Sequence, residues 1–300
     1  MRVSNQGRPS ARPRAEGLIA PLAEGRGIPR IIHQTCAWPP PPEIAENMER
    51  IRRQNPGWEH RFYDDQDILD VTQACHGPEV CDYLRRIHPS YGAARADLFR
   101  YLLLYRFGGV YLDVKSRPLR PLDSVLRPDD SYILAQWRNG PGQPFEGFGG
   151  HRELKRVPGG EFQQWHIIAA PGHPFLRAVI LRVLRNLDRY NPGLHGTGQR
   201  GVLRMTGPIA YTLAIHPLLD RHPHRRVNSE VDLGFRYSIY EGSSHRERLP
   251  AHYSKLQEPI AEVSQATLAL AAALDGARAI KQRFVRRPAP TMGPGEPTSV

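Results

Sequence analysis

The chain has 300 residues, 40% of them hydrophobic, and a formal net charge of +11. That length and apolar content suit one large α/β domain or two small ones. No run approaches the roughly twenty apolar residues of a membrane-spanning helix, and no apolar stretch of ~7–15 residues follows the basic segment Arg2 to Arg14, as a secretory leader requires. The charge is a nucleic-acid signal only until it is mapped. Residues 1–30 carry +4, residues 276–300 carry +4, and the 245 between carry +3. With no zinc-finger spacing, aromatic RNA-binding signature or Walker loop, a nucleic-acid partner is not expected. Cys36, Cys75 and Cys81 form neither a metal-ligand set nor an even disulfide framework, which favours a reducing compartment.

In chain order, residues 1–27 are rich in Arg, Gly and Pro and read as a disordered lead. Ile31 to His33 opens a sheet, and Trp38 to Pro42 is a stiff loop. Ile44, Met48 and Ile51 mark a helix, and Trp58 to Tyr63 a second strand. Ile68 to Ile87 is mainly helical with a break at Gly77-Pro78. Tyr132 to Ala135 and Trp165 to Ala170 are strands. Between them, residues 138–160 form a long Gly- and Pro-rich loop placed to line or cover a binding cleft. Pro174 to Arg189 is a helix with Leu176, Ile180, Val183, Leu184 and Leu187 inward. Ser264 to Arg287 is a final helix. The organisation expected is a lead (1–27), a catalytic domain (28–260), a C-terminal helix (261–287) and a tail (288–300).

The segment Ala93 to Val114, AARADLFRYLLLYRFGGVYLDV, carries most of the information. Ala94, Leu98, Tyr101, Leu102 and Tyr105 recur at helical spacing as one apolar stripe, with Asp97 and Arg100 neighbours on an adjoining face. Gly108 or Gly109 ends the helix at positive φ. Val110, Leu112 and Val114 alternate with Tyr111 and Asp113, so Tyr111 and Asp113 share a strand face, and Pro118 closes the extended run. Asp113 therefore falls at the carboxyl end of a strand, where open α/β sheets bind ligands.

These residues resemble the DXD-containing glycosyltransferases of family 32, which include the yeast initiating mannosyltransferases and are related to the glucosylating clostridial toxins. The resemblance lies in Ala96-Asp97-Leu98-Phe99-Arg100-Tyr101 and in Gly108-Gly109-Val110-Tyr111-Leu112-Asp113-Val114-Lys115. It extends to Ile28–Thr35, Ile167–Phe175 and Thr206-Gly207-Pro208, about residues 28 to 210. It implies a GT-A type, Rossmann-like nucleotide-diphospho-sugar transferase fold and transfer from a UDP- or GDP-sugar to a glycan or lipid-linked acceptor, with retention. It also implies that Asp97 and Arg100 contact the donor sugar, Tyr111 shapes the nucleotide pocket, and Asp113 holds a metal or a donor hydroxyl.

One departure matters: Lys115 stands where the family has its second motif aspartate. Two carboxylates attract a divalent cation such as Mn2+ or Mg2+, whereas Lys115 can face a diphosphate directly as a point charge. Two readings stay open. Either Lys115 partly substitutes for the metal, or the metal stays on Asp113 and a later ligand, with His252 near the place of the family's late histidine. The same departure favours a rival reading, a noncatalytic nucleotide-sugar-binding scaffold. Local readings without chemistry are also available: Asp97 and Arg100 as a surface pair, Asp113 as a turn former, His33, His166 and His173 as structural residues, and Thr206 as a helix cap. Family relatives carry an amino-terminal anchor in the Golgi; lacking that signal, this chain is expected in the cytoplasm. The basic ends allow peripheral contact with an anionic membrane.

Overall fold

The computed structural model describes residues 15–240 and 255–285. Its centre is a mixed six-stranded sheet built from β1 (Ile31–Thr35), β2 (Glu59–Tyr63), β3 (Gly109–Leu112), β5 (Tyr132–Ala135), β6 (His166–Ala169) and β7 (Arg225–Val227). The spatial order is β2-β1-β3-β6-β5-β7. β1 runs parallel to both β2 and β3, β6 is antiparallel to β3 and β5, and β7 is parallel to β5. A separate two-stranded ladder joins β4 (Arg117–Pro118) to β8 (Phe235–Arg236). The α/β architecture expected from the sequence is borne out.

Alternation along the strands sorts the core into two layers. Tyr111, Tyr132, Leu134, Ile167 and Ala169 face the larger layer, against α5 (Gly92–Phe107), α6 (Pro174–Asp188) and α9 (Pro208–Ile215). Val110, Leu112, Ile133 and Ile168 face the smaller layer, with Ile51 of α2 (Pro42–Gln54), Trp58, Trp137, Trp165 and Phe235. Between β2 and α5 lie α3 (Asp65–His76) and α4 (Pro78–Arg86). They separate at Gly77, whose positive φ and following proline stop one helix and start the next.

The turn into β3 explains the glycine pair. Gly108 has φ +66° and donates to the Leu104 carbonyl, while Gly109 has φ +101°. A Cβ on Gly108 would lie 2.6 Å from Pro171 Cδ, and one on Gly109 would lie 2.5 Å from the Ile31 oxygen. Both positions need glycine for its dihedral freedom and for its lack of a side chain.

Four expectations are revised. Residues 15–27 are not a disordered lead: α1 (Ala15–Leu18) forms, Ala15 and Ile19 are buried, and Arg177 donates to the Ile19 carbonyl. Their two apolar anchors outweigh the polar composition. α5 carries no single apolar stripe but is buried on every side from Leu98 to Tyr105, because it is the central helix. Pro118 does not close β3, which ends at Leu112, but lies in β4, where its missing N–H is tolerated in a two-residue edge ladder. Thr206 is the C-terminal boundary of α8 (Gly198–Met205), which follows the short α7 (Pro192–His195), and Gly207 is the residue that caps α9. The final helix, α10, runs Gln265–Val285; its expected end at Arg287, the tail and His252 lie outside the described residues. Among the described residues no helix is long and apolar enough to cross a membrane.

Gly108→Ala should lower unfolding stability by more than about 1 kcal/mol, because strain at positive φ adds to the collision with Pro171. Urea midpoints measure this; wild-type stability in the variant would show that the turn is not so constrained.

Candidate active site

α5 and β3 meet at the Gly108-Gly109 turn, and this hairpin-like return brings Arg100 back over the end of the strand. The guanidinium lies 4.5 Å above the Tyr111 ring. One of its terminal nitrogens is 3.1 Å from Asp113 Oδ1 and donates to the Gln164 carbonyl at 2.8 Å; the other is 3.2 Å from Asp97 Oδ1. Asp97 and Arg100 are 3% and 5% exposed. They are a buried pair, and the surface-pair reading fails.

Asp97 has two further donors. Thr206 Oγ1 donates to Oδ2 at 2.9 Å and Gln164 Nε2 to Oδ1 at 3.1 Å. Tyr101 completes the set, its hydroxyl within hydrogen-bond reach of both Gln164 Oε1 and the Thr206 carbonyl. Burial pushes the Asp97 carboxyl up from 3.8 to about 6, against the opposing pull of Arg100 and of the Thr206 hydroxyl. Burial likewise raises the Tyr111 and Tyr101 phenols, so both stay neutral.

Asp113 directly follows β3. Its N–H donates to the Trp165 carbonyl, and its own carbonyl accepts from the backbone and hydroxyl of Ser116. The carboxylate shares its strand face with Tyr111, whose hydroxyl is 3.4 Å from Oδ1. Unlike Asp97, the Asp113 side chain remains 25% exposed. Lys115 is half-buried and donates to Tyr237 Oη at 3.1 Å, with its ammonium 4.4 Å from the centre of that ring. Tyr237 belongs to an aromatic cluster with Trp137 and Trp165, and Trp137 also packs on Phe145 and Phe148 of the 138–160 loop. The loop is anchored at its base: Trp137 Nε1 donates to Glu161 Oε1, and His151 Nε2 lies 2.8 Å from Glu161 Oε2. Two surface concavities, about 440 and 360 Å³, flank Tyr105 with Arg177 and Tyr83 with Arg86. Neither includes Asp113, which opens instead at the carboxyl edge of the sheet.

The structure brings Asp97, Arg100, Tyr111 and Asp113 together: Arg100 bridges the two carboxylates over the Tyr111 ring. His33 bonds Tyr63 and the Gly108 carbonyl, and His166 bonds Ser229, both inside the core. His173 caps α6. Gln164, Tyr101 and Tyr237 were not singled out for the site. Thr206 was noticed, though not as a partner of Asp97. No sequence spacing links it to a residue 109 positions away.

The described residues do not fit a divalent cation by themselves. Asp113 offers one carboxylate, one of whose oxygens is held by Arg100, and the residue two positions on is Lys115 rather than a second acid. Among the described residues no group of three or more His, Cys, Asp and Glu side chains could hold a metal.

Residues 41–132 match the family described as "Glycosyltransferase sugar-binding region containing DXD motif". The initiation-specific alpha-1,6-mannosyltransferase of Schizosaccharomyces pombe is 26% identical over 201 residues, covering 64% of this chain and 49% of that protein. Its counterpart in Candida albicans is 26% identical, covering 64% and 53%. Inositol phosphoceramide mannosyltransferase 3 of S. pombe is 28% identical, covering 74% and 56%. The chain spans about half the length of the curated relatives it matches. The UDP-bound glycosyltransferase domain of the YGT toxin aligns with a TM-score of 0.46 at 9% identity, over 86% of this chain and 91% of that one. The resemblance to family 32 read from the sequence is borne out.

Asp97→Ala, which leaves Arg100 buried and short of a partner, should cost about 3–5 kcal/mol, and Thr206→Val about 1–3 kcal/mol. The pH dependence has a defined sign. Asp97 holds a proton in the folded state between pH 3.8 and about 6, so its contribution to stability falls as pH rises through that window. Burial lowers His33, His60 and His173 from 6.5 to about 4 and His166 to about 3, and these oppose it, losing stability as pH falls below 6.5. Net stability should therefore rise from pH 4 to 6.5, and more steeply in Asp97→Asn. Urea midpoints across that range check both slopes; parallel slopes would remove Asp97 from the balance.

Proposed function

We propose that this chain, which resembles the family 32 glycosyltransferases, transfers a sugar from a nucleotide-diphosphate donor to a hydroxyl of a glycan or lipid-linked acceptor. One observation carries the reading. A carboxylate that keeps 25% of its surface exposed and, two residues on, a half-buried lysine follow the carboxyl end of β3, inside the matched sugar-binding region. The names of the relatives favour mannose as the sugar, and either a glycan or a phosphoinositol lipid as the acceptor.

The reaction must stabilise negative charge on the departing diphosphate while the sugar becomes cation-like. Lys115 suits the first demand: Tyr237 takes one of its three donors, leaving two for phosphate oxygens. Asp113 suits the second, either by accepting from a donor hydroxyl or by placing negative charge near the sugar. Arg100 is buried with its terminal nitrogens engaged, so in this reading it fixes the Asp113 carboxylate rather than binding phosphate. Asp97, Gln164 and Thr206 in turn fix Arg100. Tyr111 floors the site beneath Arg100. The described donor set does not fit Mn2+ or Mg2+. Retention, a cytoplasmic location and peripheral membrane contact through the basic ends belong to the same reading, the last supported by the terminal charge alone.

Lys115 also favours the rival, a sugar-nucleotide-binding scaffold without turnover. Assays of transfer and donor hydrolysis over a panel of UDP- and GDP-sugars, with manganese or a chelator, separate the two. Asp113→Asn should lower kcat/KM by about 10²–10³-fold with the melting temperature preserved. Normal turnover by the folded variant would defeat the assignment.

A further inference from the structure

The ladder beyond Asp113 places like charges opposite each other. In the β4–β8 register Arg117 faces Arg236 directly, and Arg50 on the exposed side of α2 approaches the same point. Like charges across a strand pair are destabilising. Burial lowers the Arg117 pKa, and Arg50 and Arg236 lower it further; Glu46 is the acid that opposes them. Among the described residues no ion pair within 4 Å joins any of the three arginines to a carboxylate, although Arg30, Arg52, Arg61, Arg85, Arg86, Arg100, Arg185, Arg204 and Arg225 all have one.

Two polar atoms at this place are also buried without partners: Arg117 Nε and Asn47 Oδ1. Asn47 spends its amide N–H groups on the Val114 and Ser116 carbonyls, so it holds the segment that joins Asp113 to Arg117. The cluster is therefore tied by backbone to the Asp113–Lys115 edge. The chain running back from Arg236 touches that edge again: Tyr237 binds Lys115, and the Ile239 N–H donates to the Lys115 carbonyl.

We propose that Arg50, Arg117 and Arg236 form an anion subsite for a phosphoryl group carried by the acceptor. The proposal rests on the transferase reading and narrows its acceptor to a phosphorylated polyol. Guanidinium groups suit it because they stay charged and donate in planar pairs to phosphate oxygens. A bound phosphoryl would also relieve the repulsion that the free protein carries.

The first test needs no turnover. Titration calorimetry with inositol 1-phosphate, myo-inositol and inorganic phosphate should show the phosphorylated polyol binding best. Arg117→Gln and Arg50→Gln should each weaken it roughly tenfold, and Arg117→Lys less. Arg50 lies on an exposed helix face, so its variant reports even if the ladder variant fails to fold. In a transfer assay, the ratio of KM for the phosphorylated acceptor to KM for the neutral one should rise by the same factor. No binding of inositol 1-phosphate to the wild type, binding no better than inorganic phosphate, or equal affinity in both variants would overturn the subsite. Absence of transfer from every donor, with phosphorylated-polyol binding intact, would instead defeat the transferase reading and leave the subsite standing.

Discussion

The site depends on one buried guanidinium. Arg100 leaves the central helix and holds two carboxylates, Asp97 on its own helix and Asp113 past the end of β3. A charge at 5% exposure is costly unless it is fully engaged, and here the Gln164 carbonyl and the Tyr111 ring complete the shell. The consequence is directional. Asp97 is sealed, whereas Asp113 keeps 25% of its side-chain surface exposed and meets Arg100 through one oxygen.

The same geometry accounts for the glycine pair. For Arg100 to lie over Tyr111, the chain must reverse between Phe107 and Val110 while passing close to Pro171 on one side and Ile31 on the other. The turn, the ion bridge and the exposure of Asp113 are thus one construction, and a side chain at the turn would disturb all three.

Much of this was legible because it is local. The break at Gly77-Pro78, the strand after Gly108-Gly109 and the shared face of Tyr111 and Asp113 follow from dihedral preference and the two-residue strand period. What escaped reading depends on distant partners. Whether Asp97 is a surface acid or a buried one is decided by Thr206 and Gln164, on segments that meet α5 only in the folded chain. The stripe assigned to α5 failed for a related reason: periodicity marks one apolar face, but a helix enclosed by α3, α4, α6, α8 and the sheet can bury its polar residues as well. Residues 15–27 illustrate the limit of composition, since Ala15 and Ile19 dock despite the arginines, glycines and prolines around them.

Lys115 gives the edge of the sheet its distinctive balance. An acid at this position would add a second negative charge beside Asp113; lysine makes the local pair neutral before any ligand arrives. Tyr237, directly after β8, holds the Lys115 ammonium, while Arg100 of α5 holds the Asp113 carboxylate. Held by different partners, they give the segment after β3 one negative and one positive group two residues apart. That arrangement matches a molecule whose leaving group gains negative charge while its sugar gains positive charge.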